Sequence, residues 1–189
     1  MGILVNRICK ILLLAGFLML PVSAHGAWAQ GDPVQLYEQK IKAGLVYNFL
    51  KSTSWPDIAQ PGTEQNIKLK VCLFGGDPFD GYLLPMEGRT AQRHTITISQ
   101  SISFNDIDGC RVLFVNRNEE TALPELFEHL EGKSILTISD MEGFSEQGGM
   151  IELATEKDRR VHIIINKKAL ESAGLDIQDS LMKLAQLIE

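Results

Sequence analysis

The stretch Ile67-Lys-Leu-Lys-Val-Cys-Leu-Phe74, running straight into Gly75-Gly76-Asp77-Pro78, decides the fold. Its apolar and β-branched residues predict a strand, and the glycines end it abruptly. Asp77 suits an N-cap and Pro78 the first helical position, so a short helix is expected to open there. The same alternation continues downstream. His94–Ser99 predicts a strand, with Ile96 and Ile98 alternating with polar residues, and Phe104–Gly109 a helical turn or loop. Arg111–Val115 predicts a third strand, Glu119–Leu130 an amphipathic helix ended near Gly132, and Ser134–Ser139 a fourth strand. Asp140–Gly149 reads as a Gly-rich connection. Met150–Ala154 and Arg160–Ile165 read as a strand pair around the charged turn Thr155–Arg159. Lys167–Ala173 is expected to be a helix closed by Gly174, and a last helix to run from Ile177 or Asp179 to Ile188.

Upstream, Val34–Lys51 reads as a helix with Leu36, Lys40, Ala43, Tyr47 and Leu50 along one side. It is stopped by Ser52-Thr53-Ser54 and Trp55-Pro56, because the residue before proline disfavours helix. A polar loop, Asp57–Gln65, follows. Runs such as Val112-Leu-Phe-Val115 and Ile163-Ile164-Ile165 suit strands buried on both faces. The fold expected is therefore α/β: a mainly parallel, doubly wound, Rossmann-like sheet flanked by helices, with an antiparallel strand pair near the C-terminus. No internal repeat or linker divides it.

Composition narrows the possible functions. The 189 residues carry 18 Lys+Arg against 24 Asp+Glu, a net charge of −6, and 44% are hydrophobic. The chain is too apolar for a disordered protein, and too acidic for a nucleic-acid binder that must displace counterions. Arg7 and Lys10 precede the apolar run Ile11–Leu20, then Pro21 and small residues. A basic start, a short apolar centre and a small-residue end make a secretory signal, and about 10 apolar residues fall short of the about 20 needed to span a membrane. Cleavage after Ala29 is favoured over Ala24, leaving 30–189 as a single domain; an uncleaved anchor is the alternative.

Removing residues 1–29 takes away Arg7, Lys10 and no acid, so 16 bases face 24 acids at −8. It also leaves two cysteines, Cys72 and Cys110. In an oxidising compartment an even pair reads as one disulfide, and two buried thiols are the alternative that spacing does not exclude.

Few residues suggest chemistry. Gly75-Gly76-Asp77-Pro78 stands where α/β sheets bind ligands, yet it lacks the glycine spacing and lysine of a phosphate loop, which favours a turn with a cap. Asp77, Asn116, Ser139 and Asp140 all fall at or just past strand C-termini and could form a small polar site, with loop capping the plainer role. His94, His129 and His162 show no metal-ligand spacing, and no G-x-S-x-G elbow is present. No cofactor, metal or catalytic residue is expected. A binding or regulatory role is.

The ordered set Lys42-Ala-Gly-Leu-Val-Tyr47-Asn48-Phe49, Trp55-Pro56, Val71-Cys72-Leu-Phe-Gly75-Gly-Asp77-Pro78-Phe79 and Gly109-Cys110-Arg-Val-Leu-Phe114 resembles the YfiR family of periplasmic regulators. Leu136-Thr137-Ile-Ser139-Asp140, Phe144, Gly148-Gly149-Met150-Ile151, Asn166, Gly174-Leu175 and Ser180-Leu-Met-Lys-Leu-Ala185 extend the likeness over the mature chain. Arg111 stands where the family often has His, and a second cysteine pair carried by some members is missing, so redox behaviour tied to that pair does not transfer.

The resemblance implies a dimeric periplasmic repressor that binds the sensor domain of an inner-membrane diguanylate cyclase. Its release would raise cyclic-di-GMP and promote biofilm formation. It also implies a fold-maintaining bridge between Cys72 and Cys110. Phe144 and Ile151 around the Gly-rich connection, with Ile163 and Ile165 of the last strand and the C-terminal helix, are candidates for the partner surface; core packing is their alternative. The competing function is small-molecule binding, of a nucleotide or aromatic ligand, in a cleft formed by Gly75, Gly76, Asp77, Phe79, Ser139 and Asp140.

Overall fold

A computed structural model describes residues 33–56, 58, 67–157 and 159–189. The expected export signal, the Asp57–Gln65 loop apart from Ile58, and Asp158 of the charged turn lie outside the described residues.

The central sheet is mixed and mostly parallel. Its strands are β2 (Lys68–Phe74), β3 (Thr90–Ala91), β4 (His94–Ile102), β5 (Val112–Val115), β6 (Leu136–Ser139), β7 (Ile151–Thr155), β8 (Val161–Asn166) and β10 (Gln186–Ile188). They lie in the order β10-β8-β7-β6-β5-β2-β4-β3. The five strands from β7 to β4 are parallel, and β8 pairs antiparallel with β7 through Leu153↔Ile163. A separate two-stranded sheet joins β1 (Thr53–Ser54) to β9 (Asp176–Ile177).

Period-two alternation in the buried strands feeds two cores. Leu69, Val71 and Leu73 of β2, with Val112 and Phe114 of β5, enter a large core. Helix α1 (Pro33–Ser52) covers it with Ala43, Val46, Phe49 and Leu50, and helix α3 (Lys167–Ser172) with Leu170. Cys72, Phe74, Leu113 and Val115 point the other way, into a smaller core with Ile107, Leu123, Leu126 and Phe144. Leu123 and Leu126 come from helix α2 (Leu123–Leu130). On β6 the residues facing this second core are Thr137 and Ser139, buried but hydrogen-bonded. Thr137 accepts from the Met150 amide, and Ser139 donates to the Val115 carbonyl.

Four sequence expectations need correction. No helix opens at Pro78: Asp77 caps a run of turns, and left-handed Asp80 (φ 50°) and Gly81 (φ 81°) break helical geometry. The helix expected from Glu119 starts at Leu123, after a 3-10 segment at Arg117–Ala122, because Pro124 fits only the first helical turn. Helix α1 turns Lys42, Val46 and Phe49 inward beside Ala43 and Leu50; of the residues read along one side, Tyr47 packs part-buried against the core but Lys40 is exposed. The last helix shrinks to one turn, α4 (Asp179–Met182). Gln186–Ile188 instead becomes a strand parallel to β8, with Leu187 beside Ile165. Pairing with the open edge of β8 outweighs local helix propensity there.

Candidate functional site

The ends of the parallel strands carry the polar groups that sequence singled out, but the structure divides them. After β2, Asp77 accepts hydrogen bonds from the Phe79 amide (2.8 Å), the Gly81 amide (2.9 Å) and the Gln100 side chain (3.3 Å). Its carboxylate thus organises its own turn. Phe79 is buried with its ring edge-on to Phe114 at 4.5 Å, so it supports the core and offers no open face to a ligand. Gly75 is left-handed (φ 85°), and the Glu119 side chain lies so close that a Cβ on Gly75 would overlap it. Gly76 is left-handed too (φ 101°), with open space where a Cβ would stand. Asn116 accepts from the Asn118 amide and caps the following 3-10 segment.

Asp140, following β6, sits in a different network. Lys42 Nζ of α1 donates to Asp140 Oδ2 at 2.9 Å and also contacts Glu38 Oε1 at 2.5 Å. Arg117, just past β5, donates to the same Asp140 oxygen. Thr155 at the end of β7 donates to Glu38 Oε1 at 2.6 Å. One helix and three strand ends thus meet through two carboxylates and two cations. Lys42 is only 3% exposed and Asp140 8%, whereas Arg117 is 58% exposed and forms the outer lid. Burial pushes the Asp140 carboxyl upward, but the Arg117 hydrogen bond and the Lys42 charge outweigh it and hold the group below the usual carboxylate range. Glu38 is likewise raised by burial and lowered further by Lys42 and Thr155. Asp140 Oδ1 is buried and has no hydrogen-bond partner among the described residues.

Asp77 and Asp140 therefore share no partner, and Ser139 faces inward. Sequence reasoning missed Glu38, Lys42 and Arg117. The available signal was Lys42 sitting among Ala43, Val46, Phe49 and Leu50 on one helical face, with Glu38 four residues earlier.

The Gly-rich connection is pinned from beneath. Buried Glu152 accepts from the Gly143 amide, the Ser145 amide and the Ser145 hydroxyl at 2.8–3.1 Å. Asn166 donates to the Ser145 carbonyl. Phe144 lies against Gly149, where any Cβ would overlap its ring. Phe144, Ile151 and Ile165 are fully buried and Ile163 nearly so: they pack in the core, the alternative to a partner surface. Cys72 and Cys110 form a disulfide with Cα atoms 5.9 Å apart, buried in the smaller core and tying β2 to the entrance of β5. The histidines are dispersed, and among the described residues no group of three or more His, Cys, Asp or Glu is placed to hold a metal ion.

The class is that of an α/β domain with a mixed, mostly parallel sheet and a buried disulfide bridge. The chain belongs to the YfiR/HmsC-like family, whose model matches residues 39–186. Members of that family are periplasmic, non-catalytic regulators, and membership supports a periplasmic regulatory role here. No curated protein matches the sequence.

Several solved structures share the fold, and two of them illustrate it. One is a conserved domain protein from Vibrio cholerae O1 biovar eltor, with TM-score 0.51 and 11% identity over 80% of this chain and 60% of that one. The other is the ABC domain in complex with L-Trp from Streptococcus pneumonia, with TM-score 0.50 and 12% identity over the same shares. This chain thus spans 60% of each, and at such identity the likeness concerns the fold alone. Among the described residues no helix is long and apolar enough to cross a membrane.

Proposed function

We propose that the mature chain, freed of residues 1–29 on export, is a homodimeric periplasmic repressor. It binds the periplasmic sensor domain of an inner-membrane diguanylate cyclase and holds the enzyme inactive. The observation behind this reading is the family match over residues 39–186, carried on a disulfide-bridged scaffold suited to an oxidising compartment. By linkage, such a regulator acts only through tighter binding to the inactive cyclase than to the active one. Deleting the gene and measuring cyclic-di-GMP tests it. The level rises if the chain represses a cyclase; an unchanged level with the partner present rules that out.

A second reading has one observation in its favour, the partnerless Oδ1 of buried Asp140 at a strand end. Strand C-termini are where α/β sheets take ligands. A small molecule with a hydrogen-bond donor would satisfy that oxygen, while Gly75, Gly76 and Asp77 stand two strands away, at the end of β2 beyond β5. A thermal-shift screen tests it, since a ligand at 100 times its dissociation constant adds about 2.7 kcal/mol. No shift across a broad metabolite set would count against it.

A further inference from the structure

We infer that the outward face of α1 is the surface on which the partner's sensor domain docks, and that it takes one acidic helix lying along Tyr37, Ile41, Gly44, Asn48 and Lys51. The inference rests on the repressor reading above and names the surface through which it acts.

Spacing carries the first part. These five residues follow one another by four, three, four and three positions, the repeat that forms a seam for a second helix. They lie on the side of α1 away from Ala43, Val46, Phe49 and Leu50, which enter the large core. Tyr37 is 66% exposed, an open aromatic of the kind that anchors interfaces. Lys51 is exposed, and Ile41, Gly44 and Asn48 are part-exposed.

Gly44 carries the second part. It stands at the centre of the seam, inside a 20-residue helix, where glycine is less stable than alanine. A Cβ at this position would meet no atom within 4 Å, so the chain's own packing does not require a glycine. What glycine supplies is a bare stretch of helix backbone that a second helix can approach closely.

Charge selects the occupant. Lys40 and Lys51 are exposed beside and on the seam, and among the described residues neither is paired with a carboxylate. Lys51 rests over the Tyr47 ring at 4.6 Å. Glu38, the single acid of α1, is engaged by Lys42 and Thr155. A second copy set against the same face would bring four lysines together without a carboxylate, which opposes self-pairing through it. A partner helix with carboxylates as far apart as Lys40 and Lys51, about 16 Å along the axis, meets both cations. A small side chain opposite Gly44 lets it close.

Gly44→Leu in the full chain separates folding from docking. Leucine favours helix and enters open space, so the purified exported variant should melt about 3 °C higher than wild type. In cells the same variant should raise cyclic-di-GMP to the level of the gene deletion. Lys40→Glu with Lys51→Glu should raise it too, whereas Lys40→Arg with Lys51→Arg should repress normally. Lys168→Leu, at an exposed site on α3, should also repress normally. A deletion that leaves cyclic-di-GMP unchanged overturns the repressor reading and this surface with it. A deletion that raises it, with Gly44→Leu and the double glutamate variant repressing like wild type, overturns the α1 surface alone. Sedimentation checks the other occupant: self-association that Gly44→Leu abolishes would assign the face to a second copy and overturn the acidic partner helix.

Discussion

Lys42 and Asp140, 98 residues apart in the chain, meet with Nζ 2.9 Å from Oδ2 and fasten α1 to the loop leaving β6. Both are almost fully enclosed, and breaking such a pair leaves a charge in a poorly polarisable site. Lys42→Met is expected to cost about 3 kcal/mol. Arg117→Met, on the exposed side of the same carboxylate, should cost under about 1 kcal/mol. Urea unfolding of both variants compares them, and equal losses would contradict this division.

Acid should loosen the same joint. The folded carboxyls of Asp140 and Glu38 are held below their usual range, so the unfolded chain binds protons more readily than the folded one as pH falls. Their stabilisation is complete above the unfolded values, about 3.9 for Asp and 4.3 for Glu. It fades as pH drops through the lower folded values. Asp140→Asn should flatten this acid limb in a melting-temperature series, and an unaltered limb would show that other groups govern it.

The Cys72–Cys110 bridge closes a loop of 38 residues. Chain-entropy reasoning gives it about 4 kcal/mol. Reduced protein, or a Cys72→Ala, Cys110→Ala double variant, should melt markedly lower and be cleaved faster by protease. Both cysteines are buried, so reduction should be slow until the structure opens.

Two glycines should respond differently to alanine. Gly149→Ala drives a methyl into the buried Phe144 ring and should cost about 3 kcal/mol, because the core cannot yield. At Gly75 the obstacle is the flexible Glu119 side chain, which can swing aside, leaving mainly the left-handed backbone cost of about 1–2 kcal/mol. Equilibrium unfolding distinguishes them, and a Gly75 variant as damaged as the Gly149 one would show that Glu119 is fixed.

Glu152→Gln should destabilise by about 2 kcal/mol. The carboxylate takes three donors, and an amide would turn a donor of its own toward one of them. Exchange of the Gly143 and Ser145 amides with deuterium should quicken in that variant, whereas a purely global loss would leave their order unchanged.

Much of the fold was legible because its strands are short apolar runs punctuated by glycine and proline. Val112–Val115 and Leu136–Ser139 declare themselves without reference to neighbours. The candidate site was less so. Asp140 stood out at a strand end, but its partners Lys42 and Arg117 are ordinary cations until α1 and β5 are laid beside β6. Phe144 and Ile151 stood open between partner surface and core for the converse reason: a glycine-rich loop suggests exposure, and only the Glu152 clamp shows that it folds inward.

Sequence alone determined the alternation of helix and strand, the doubly buried parallel sheet, and the membership that residues 39–186 carry. These follow from periodicity and local punctuation, which need no distant contact. Tertiary structure alone decided that Gln186–Ile188 leaves its helix to extend the sheet, that Lys42 is enclosed by two carboxylates, and which leucines remain outside. Each of these depends on which chemical group lies across the gap, and that is set by the packing of segments far apart in the chain.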